Sequence, residues 1–454
     1  MTLKVVILAA GKGTRMRSKL PKVLQPLAQK SLLQHVINTA ESLNSDSVIT
    51  VIGHGAELVE QRVEGDNLSF VMQQQQLGTG HAVQMATHLV NPEDTVLILY
   101  GDVPLTSLQT LQDLLSLVSS DNPLALLTIN LANPTGYGRI VRNQHNVVQA
   151  IVEQKDALAD ELLIDEVNTG IMAVKGQQLH HWLSQLSSDN AQGEYYLTDI
   201  IAMAVNDGFT VQTTQPASEI EVLGVNDKVQ LQDLERRYQK HQAIQLMQEG
   251  VTLIDANRID IRGEVSAQAD VEIDANCILE GQVTLGANVI IGANCILKNV
   301  TVADGTVIHP FSHLEDCIVG EKCIIGPYAR LRPGTELGNE AKIGNFVETK
   351  KAIIGEGSKV SHLSYIGDTN MGRDVNIGEG NITCNYDGVN KHQTHIGDRV
   401  FVGSDSQLVA PVTIGDDATI GAGSTITKDA AQSQLTLSRS KQLTIPSWHK
   451  PTKK

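Results

Sequence analysis

Between about Thr252 and Ile426 an aliphatic residue recurs at every sixth position, commonly with Gly behind it and a small residue four places on. The clearest run is Ile396, Val402, Leu408, Ile414, Ile420, Ile426, with Gly397, Gly403, Gly415 and Gly421 following and Val400, Ser406, Val412, Ala418 and Ser424 in the small slot. Ile325, Leu331, Leu337, Ile343 and, earlier, Ile273, Leu279, Leu285, Ile291 repeat it. An amphipathic helix needs an apolar period of 3.6 and a half-buried strand alternates by two. A six-residue period predicts a parallel β-helix, whose short strands wind around one apolar core. The aliphatic residue points inward, the small one lets the chain turn the corner, and Gly tolerates the dihedrals there. About 175 residues at 18 per coil give about ten coils, ~4.8 Å apart. The repeat is ragged between Lys298 and Cys323 and slips by one residue between the Ile343 and Ile354 registers. Over 380–395 the polar stretch GNITCNYDGVNKHQTH interrupts it, and loops thrown out of a rigid scaffold are where function sits.

Residues 1–225 follow a different pattern. Continuous apolar strands are predicted at 4–9, 47–52, 95–100 and 124–130, with helices at 32–43 and 80–89 between them. This alternation implies an α/β fold with a largely parallel sheet covered on both faces, binding ligands at the carboxyl ends of its strands. Over 227–249, Val229, Leu231, Leu234, Tyr238, Ile244 and Met247 sit among charged and Gln residues, closed by Gly250. One connecting helix is expected, capped by Asn226 or Asp227 and ~35 Å long at 1.5 Å per residue.

With 454 residues the chain exceeds one ordinary core, and its net charge of −16 repels nucleic acid. Phosphate-bearing partners therefore need local cations or a metal. Lys450, Lys453 and Lys454 read as a solvated end. No apolar run approaches the ~20 residues of a membrane span, and 5–10 is too short for a secretory core, so a cytoplasmic protein is expected. Cys277, Cys295, Cys317 and Cys323 fall in the small slot of the hexapeptide, where packing competes with disulfide or metal readings.

Chemistry gathers in the loops. The first strand ends in Leu8-Ala9-Ala10-Gly11-Lys12-Gly13-Thr14-Arg15-Met16, followed by Pro21-Lys22, which is neither a Walker A loop nor GxGxxG. Backbone N–H groups of such a loop can cradle phosphate with help from Lys12, Arg15 and Lys22; an ordinary turn is the competing reading. Gln73-Gln74-Gln75-Gln76-Leu77-Gly78-Thr79-Gly80 opens a helix and offers amides suited to a base edge. The strand 95–100 ends at Tyr100 and leads into Gly101-Asp102, where the carboxylate is a Mg²⁺ ligand or a turn aspartate. Gly138, Arg139, Glu153, Asn168, Glu194 and Asn226 lie in further polar loops, as a sugar requires. In the repeat region Arg332 and Lys350 share one register 18 residues apart, so they stack as a phosphate site or as a solvated charge ladder. His362 is a general base or a surface histidine, near Tyr365, Asn376, Asn385 and Tyr386.

The stretch from Leu8 to Lys22 resembles the LxxGxGTRMxxxxPK motif of sugar nucleotidyltransferases. Essentially the whole chain is similar to the bacterial bifunctional N-acetylglucosamine-1-phosphate uridyltransferase/glucosamine-1-phosphate N-acetyltransferase family. That resemblance implies a Rossmann-like uridyltransferase domain at 1–226, a linker helix at 227–247, and a left-handed β-helix acetyltransferase at 248–454. It implies UTP and UDP-sugar contacts at Leu8, Ala9, Ala10, Gly11, Gly13, Arg15, Lys22, Gln73, Gly78, Thr79, Tyr100, Gly101, Asp102, Gly138, Glu153, Asn168 and Asn226. Asp102 and Asn226 would hold Mg²⁺. Arg332, Lys350, Tyr365 and Asn376 would bind the amino-sugar phosphate and His362 would be the base. Glu379, Asn385, Tyr386, Ser404, Ala422 and Arg439 would meet acetyl-CoA. Glu379 stands where the family usually carries a small residue, and Ser361 replaces a usual Gly. A homotrimer, with sites completed by neighbours, and a product feeding peptidoglycan and lipopolysaccharide follow from the same resemblance. The competing readings are a single-activity nucleotidyltransferase with an oligomerising β-helix, and a non-enzymatic scaffold.

Overall fold

The computed structural model describes residues 2–453, so Lys454 lies outside the described residues. The chain divides into two compact units, Met1–Tyr238 and Gln239–Lys454.

In the first unit seven strands of a nine-stranded sheet run in the order 212–214, 124–130, 166–175, 95–100, 3–8, 47–52, 68–72, and off this path Arg139–Arg142 pairs with Glu166–Lys175 and with Val148–Val152. Glu166–Lys175 is antiparallel to both its neighbours and the other strands on this path pair in parallel. The sheet is therefore mixed, though continuous apolar strands and two covered faces appear as expected. Alternation assigns the faces: Val5 and Ile7 join Leu33, Val36, Leu97 and Leu99 on one side. Val6 and Leu8 join Ala82, Val96, Ile98 and Trp182 on the other. The helix Leu32–Ser42 starts where Ser31 Oγ accepts the Gln34 N–H, which satisfies a first-turn donor. Strand order reverses about the pair 3–8 and 95–100, and a crevice opens there at the carboxyl ends.

The helix Lys228–Gln248 is capped by Asp227, whose Oδ1 accepts the N–H groups of Val229 and Gln230, each at 2.9 Å. Of the apolar residues that mark this helix in the sequence, Leu234 is buried in the first unit, while Val229, Ile244 and Met247 are exposed. Ala243 and Leu246 belong to the core of the second unit.

That second unit is the expected β-helix. An eleven-stranded ladder forms one face and a thirteen-stranded sheet the others. The inward column passes through Ile273, Ile291, Ile308, Ile325, Ile343, Val360, Ile377, Val402 and Ile420, each paired with the next. The ragged stretch comes from shortened coils: pairing shifts between Glu280 and Val283, and Ile291 then meets Ile308. The step from Ile377 to Val402 is the long one and holds the polar insertion. All five cysteines are free. Cys277, Cys295, Cys317 and Cys323 are buried, and burial pushes the Cys277 thiol up to about 11 and Cys295 and Cys317 up to about 12.

Candidate active sites

In the first unit the chain after strand Leu3–Leu8 forms a loop and a short helical turn, Thr14–Met16, and Lys22 opens a second such turn. Gly13 has φ +56°, and a Cβ there would stand 2.6 Å from Lys22 Cβ, so only glycine lets the two turns close on each other. Lys22 Nζ forms an ion pair with Asp102 and lies 3.3 Å from Asn226 Oδ1. Arg15 Nη2 donates to that same oxygen at 2.8 Å. Asn226 is brought in because Val225 N–H binds the Asp102 carbonyl at 3.0 Å. Thus Arg15, Lys22, Asp102 and Asn226, spread over more than 200 residues, meet at one point.

Beside it lies a cleft of about 330 Å³, lined by Leu8, Ala9, Ala10, Gly11, Lys22, Gln73, Gly78, Thr79, Tyr100 and Asp102 from the sequence expectation. Val23, Gln76, Ala82 and Glu194 also line it. Glu194 stood among the polar loops without a role. Gln76 lay inside the glutamine run, where no sequence feature separates one amide from the next. Gly138, Glu153 and Asn168 do not line this cleft. They lie together nearby: Asn168 N–H binds the Gly138 carbonyl at 2.9 Å, and Glu153 accepts from Thr198 at 3.1 Å. Burial pushes the Glu153 carboxyl and the Tyr100 phenol up, and Glu153 adds to the effect on Tyr100.

In the second unit two groups form. On the thirteen-stranded sheet Leu331 pairs with Thr349, which stacks Arg332 beside Lys350. Arg332 donates to Glu348 at 2.6 Å. The Lys391 and Arg332 cations, Lys391 first, hold Lys350 below the usual lysine range. Asn385 reaches Tyr365 OH at 3.5 Å and also binds Asp368. Tyr386 bridges to Lys391 within the insertion. Three cations, Arg332, Lys350 and Lys391, share this face and Glu348 pairs with only one of them, so the excess positive charge suits a phosphate. Lys391 escaped sequence reasoning because it lies in the insertion, outside the six-residue register, and Asp368, within the strand Tyr365–Met371, carried no signal that set it apart.

The second group climbs one corner of the eleven-stranded ladder. His362 is exposed and its Nδ1 lies 2.7 Å from Asn345 Oδ1, on the coil below. Gly380 N–H reaches the His362 carbonyl at 3.4 Å, Glu379 N–H meets Ser404 Oγ at 3.3 Å, and Gly423 N–H binds the Ser404 carbonyl at 2.9 Å. Arg439 Nη1 caps the Ala422 carbonyl at 2.9 Å. Glu379, Ser404, Ala422 and Arg439 therefore occupy successive coils above His362. Asn376 does not join Tyr365 and Asn385; it pairs with Lys359 and Phe401 at the other end of the His362 face.

An α/β unit with a nucleotide-sized crevice, followed by a hexapeptide β-helix with a histidine and a cation pair, defines a two-unit transferase. Comparison with known families agrees. Residues 5–156 match the MobA-like NTP transferase domain, 261–347 the GMPPB C-terminal domain, and 393–428 the bacterial transferase hexapeptide with six repeats. The chain is 67% identical over 453 residues to the bifunctional protein GlmU of Hydrogenovibrio crunogenus, covering 100% of both chains. It is 57% identical over 452 residues to that of Cellvibrio japonicus, again covering 100% of both. The GlmU of Marinobacter nauticus is 56% identical over 451 residues, 99% of each chain. The chain belongs to the bifunctional GlmU family. It is an enzyme of UDP-N-acetylglucosamine synthesis with two activities: acetyl transfer from acetyl-CoA to glucosamine 1-phosphate, then uridylyl transfer from UTP to N-acetylglucosamine 1-phosphate.

Proposed function

We propose that 1–226 carry uridylyl transfer, 227–247 form the linker helix, and 248–454 carry acetyl transfer. The observation that carries this division is the convergence of Arg15, Lys22, Asp102 and Asn226 at one point beside the cleft, while His362 and the Arg332–Lys350 pair belong to the other compact unit.

In the uridylyl step the loop Leu8–Gly13 and Gly101 cradle the nucleotide, and Gln73, Gly78 and Thr79 take the uracil. Gly138, Glu153 and Asn168 take the sugar. The sugar-phosphate oxygen attacks the α-phosphorus in line and pyrophosphate leaves, so the protein's task is positioning and charge neutralisation by Lys22 and Arg15. Asp102 and Asn226 supply a carboxylate and an amide oxygen aimed at the same ammonium, which is a hard-oxygen donor set suited to Mg²⁺. Among the described residues no cluster of three or more His, Cys, Asp or Glu could hold a metal alone, so the nucleotide phosphates would complete the shell. Bound there, Mg²⁺ would neutralise phosphate charge.

In the acetyl step Arg332, Lys350, Tyr365 and Asn376 hold glucosamine 1-phosphate, and Asn385, Tyr386, Glu379, Ser404, Ala422 and Arg439 meet acetyl-CoA. The Asn345 contact leaves His362 Nε2 to remove the amine proton. The amine nitrogen attacks the thioester carbonyl, the C–S bond breaks, and the CoA thiolate takes up a proton.

The acting form is a homotrimer. On one corner Phe311, Tyr328 and Phe346 stack at 4.9 and 5.2 Å, exposed, and exposed Leu363 beside His362 follows on the next coil. Such an apolar column next to a site spread over two faces supports completion by a neighbour. No helix among the described residues is long and apolar enough to cross a membrane. Five free thiols support a reducing, cytoplasmic location.

His362→Ala should abolish acetyl transfer and leave uridylyl transfer near normal, and Asp102→Ala should do the reverse. Loss of both activities from either change, in folded protein, would defeat the two-site assignment.

A further inference from the structure

Gln73 reaches the cleft with half of its amide already committed. The residue follows the strand Leu68–Met72 and is 3% exposed, yet it lines the cleft. Its Nε2 donates to the Gly78 carbonyl at 3.2 Å and lies 3.0 Å from His81 Nδ1. A carbonyl oxygen only accepts, so the Gly78 contact decides which end of the amide carries the hydrogens. The second hydrogen then goes to His81 Nδ1, in the neutral tautomer protonated on Nε2. Both acceptors come from one place: Gly78 is the N-cap of the helix Thr79–Ala86, and His81 stands in its first turn. Among the described residues Gln73 Oε1 has no protein partner. It is not one of the sealed, unpartnered side-chain atoms either, and its residue lines the cleft.

We propose that His81 is a positioning residue that sets the pyrimidine choice of the uridylyl step. By taking the second amide hydrogen, it holds Gln73 Oε1 toward the base as an acceptor. An acceptor there matches the N3–H of uracil and opposes the N3 lone pair of cytosine. A site built to pair one polar group discriminates strongly against the analogue that leaves it unpaired. Without His81 the amide keeps only the Gly78 bond, on a carbonyl that also accepts from Ala82 N–H at 3.1 Å, and it turns more freely. The proposal rests on the reading that this cleft binds UTP.

The test uses the full chain and compares kcat/KM for UTP and for CTP with N-acetylglucosamine 1-phosphate. His81→Leu should lower the UTP/CTP ratio about tenfold, the worth of one neutral hydrogen bond, through KM for UTP more than through kcat. His81→Asn places Oδ1 where Nδ1 stood and should restore most of the ratio; His81→Ala replaces the leucine variant if that chain does not fold. An unchanged ratio in His81→Leu, or a His81→Asn as impaired as His81→Leu, overturns the role of His81 while Gln73→Leu still lowers the ratio. If Gln73→Leu leaves both the ratio and KM for UTP at wild-type values, the cleft assignment itself falls, and this proposal with it.

Discussion

Gly78 sits where three requirements meet, and replacing it by alanine tests them together. Its backbone has φ +113° and ψ 174°, a region open essentially to glycine alone. A Cβ added there would stand 2.5 Å from the Tyr195 carbonyl oxygen and 2.8 Å from the Tyr195 nitrogen. Neither atom is the end of a flexible side chain: Tyr195 N–H binds the Leu77 carbonyl at 2.8 Å, and its carbonyl accepts from Gly80 N–H at 2.8 Å. The conformation costs about 1–3 kcal/mol, and forcing a methyl into a packed contact costs a further ~1–3 kcal/mol. If the turn shifts instead of the unit unfolding, the Gly78 carbonyl moves away from Gln73, and even ~2 kcal/mol appears as a loss of about 30-fold in kcat/KM for UTP. The two half-reactions, assayed side by side with thermal melting, separate the outcomes. Gly78→Ala should lose uridylyl transfer or melt earlier, with acetyl transfer retained in folded protein. Wild-type kcat/KM together with an unchanged melting curve would refute the reasoning.

Two further outcomes follow from burial. A thiol reagent applied to native protein should modify half-buried Cys384 first, while Cys277, Cys295, Cys317 and Cys323 react only in denaturant; fast labelling of any of the four, read by peptide mass mapping, contradicts the packing assignment. Burial raises the Glu153 carboxyl above its unfolded value, so the stabilisation belongs to the protonated form, complete below about pH 4 and lost as pH rises through the folded value. Glu153→Gln cannot ionise, so its melting temperature should match wild type near pH 4 and exceed it at pH 7, with uridylyl transfer weakened. A gap that stays constant across that range would sink the linkage.

Much of the fold was legible because its signals are local. Each inward aliphatic of the β-helix repeats a one-dimensional rule, and the apolar strands ending at Leu8 and Tyr100 mark their own carboxyl ends. The antiparallel strand Glu166–Lys175 was not legible, since pairing direction depends on where the chain returns. The resemblance named site residues one by one, but it carried no geometry. That Asn376 stands apart from Tyr365, or that Lys391 lowers Lys350, depends on how long coils stack.

The linear order of residues therefore determined the two architectures and the kinds of chemistry present: a strand-ended loop with cations, a carboxylate after a strand, and a histidine in a hexapeptide register. Local periodicity and residue type decide such things, because they act over a few residues. Only the tertiary structure decided which groups share a volume. Asn226 meets Arg15 across 211 positions, and one amide of four consecutive glutamines is held by Gly78 and His81. Hydrogen bonds of about 3 Å act on distance in space, which spacing along the chain does not encode.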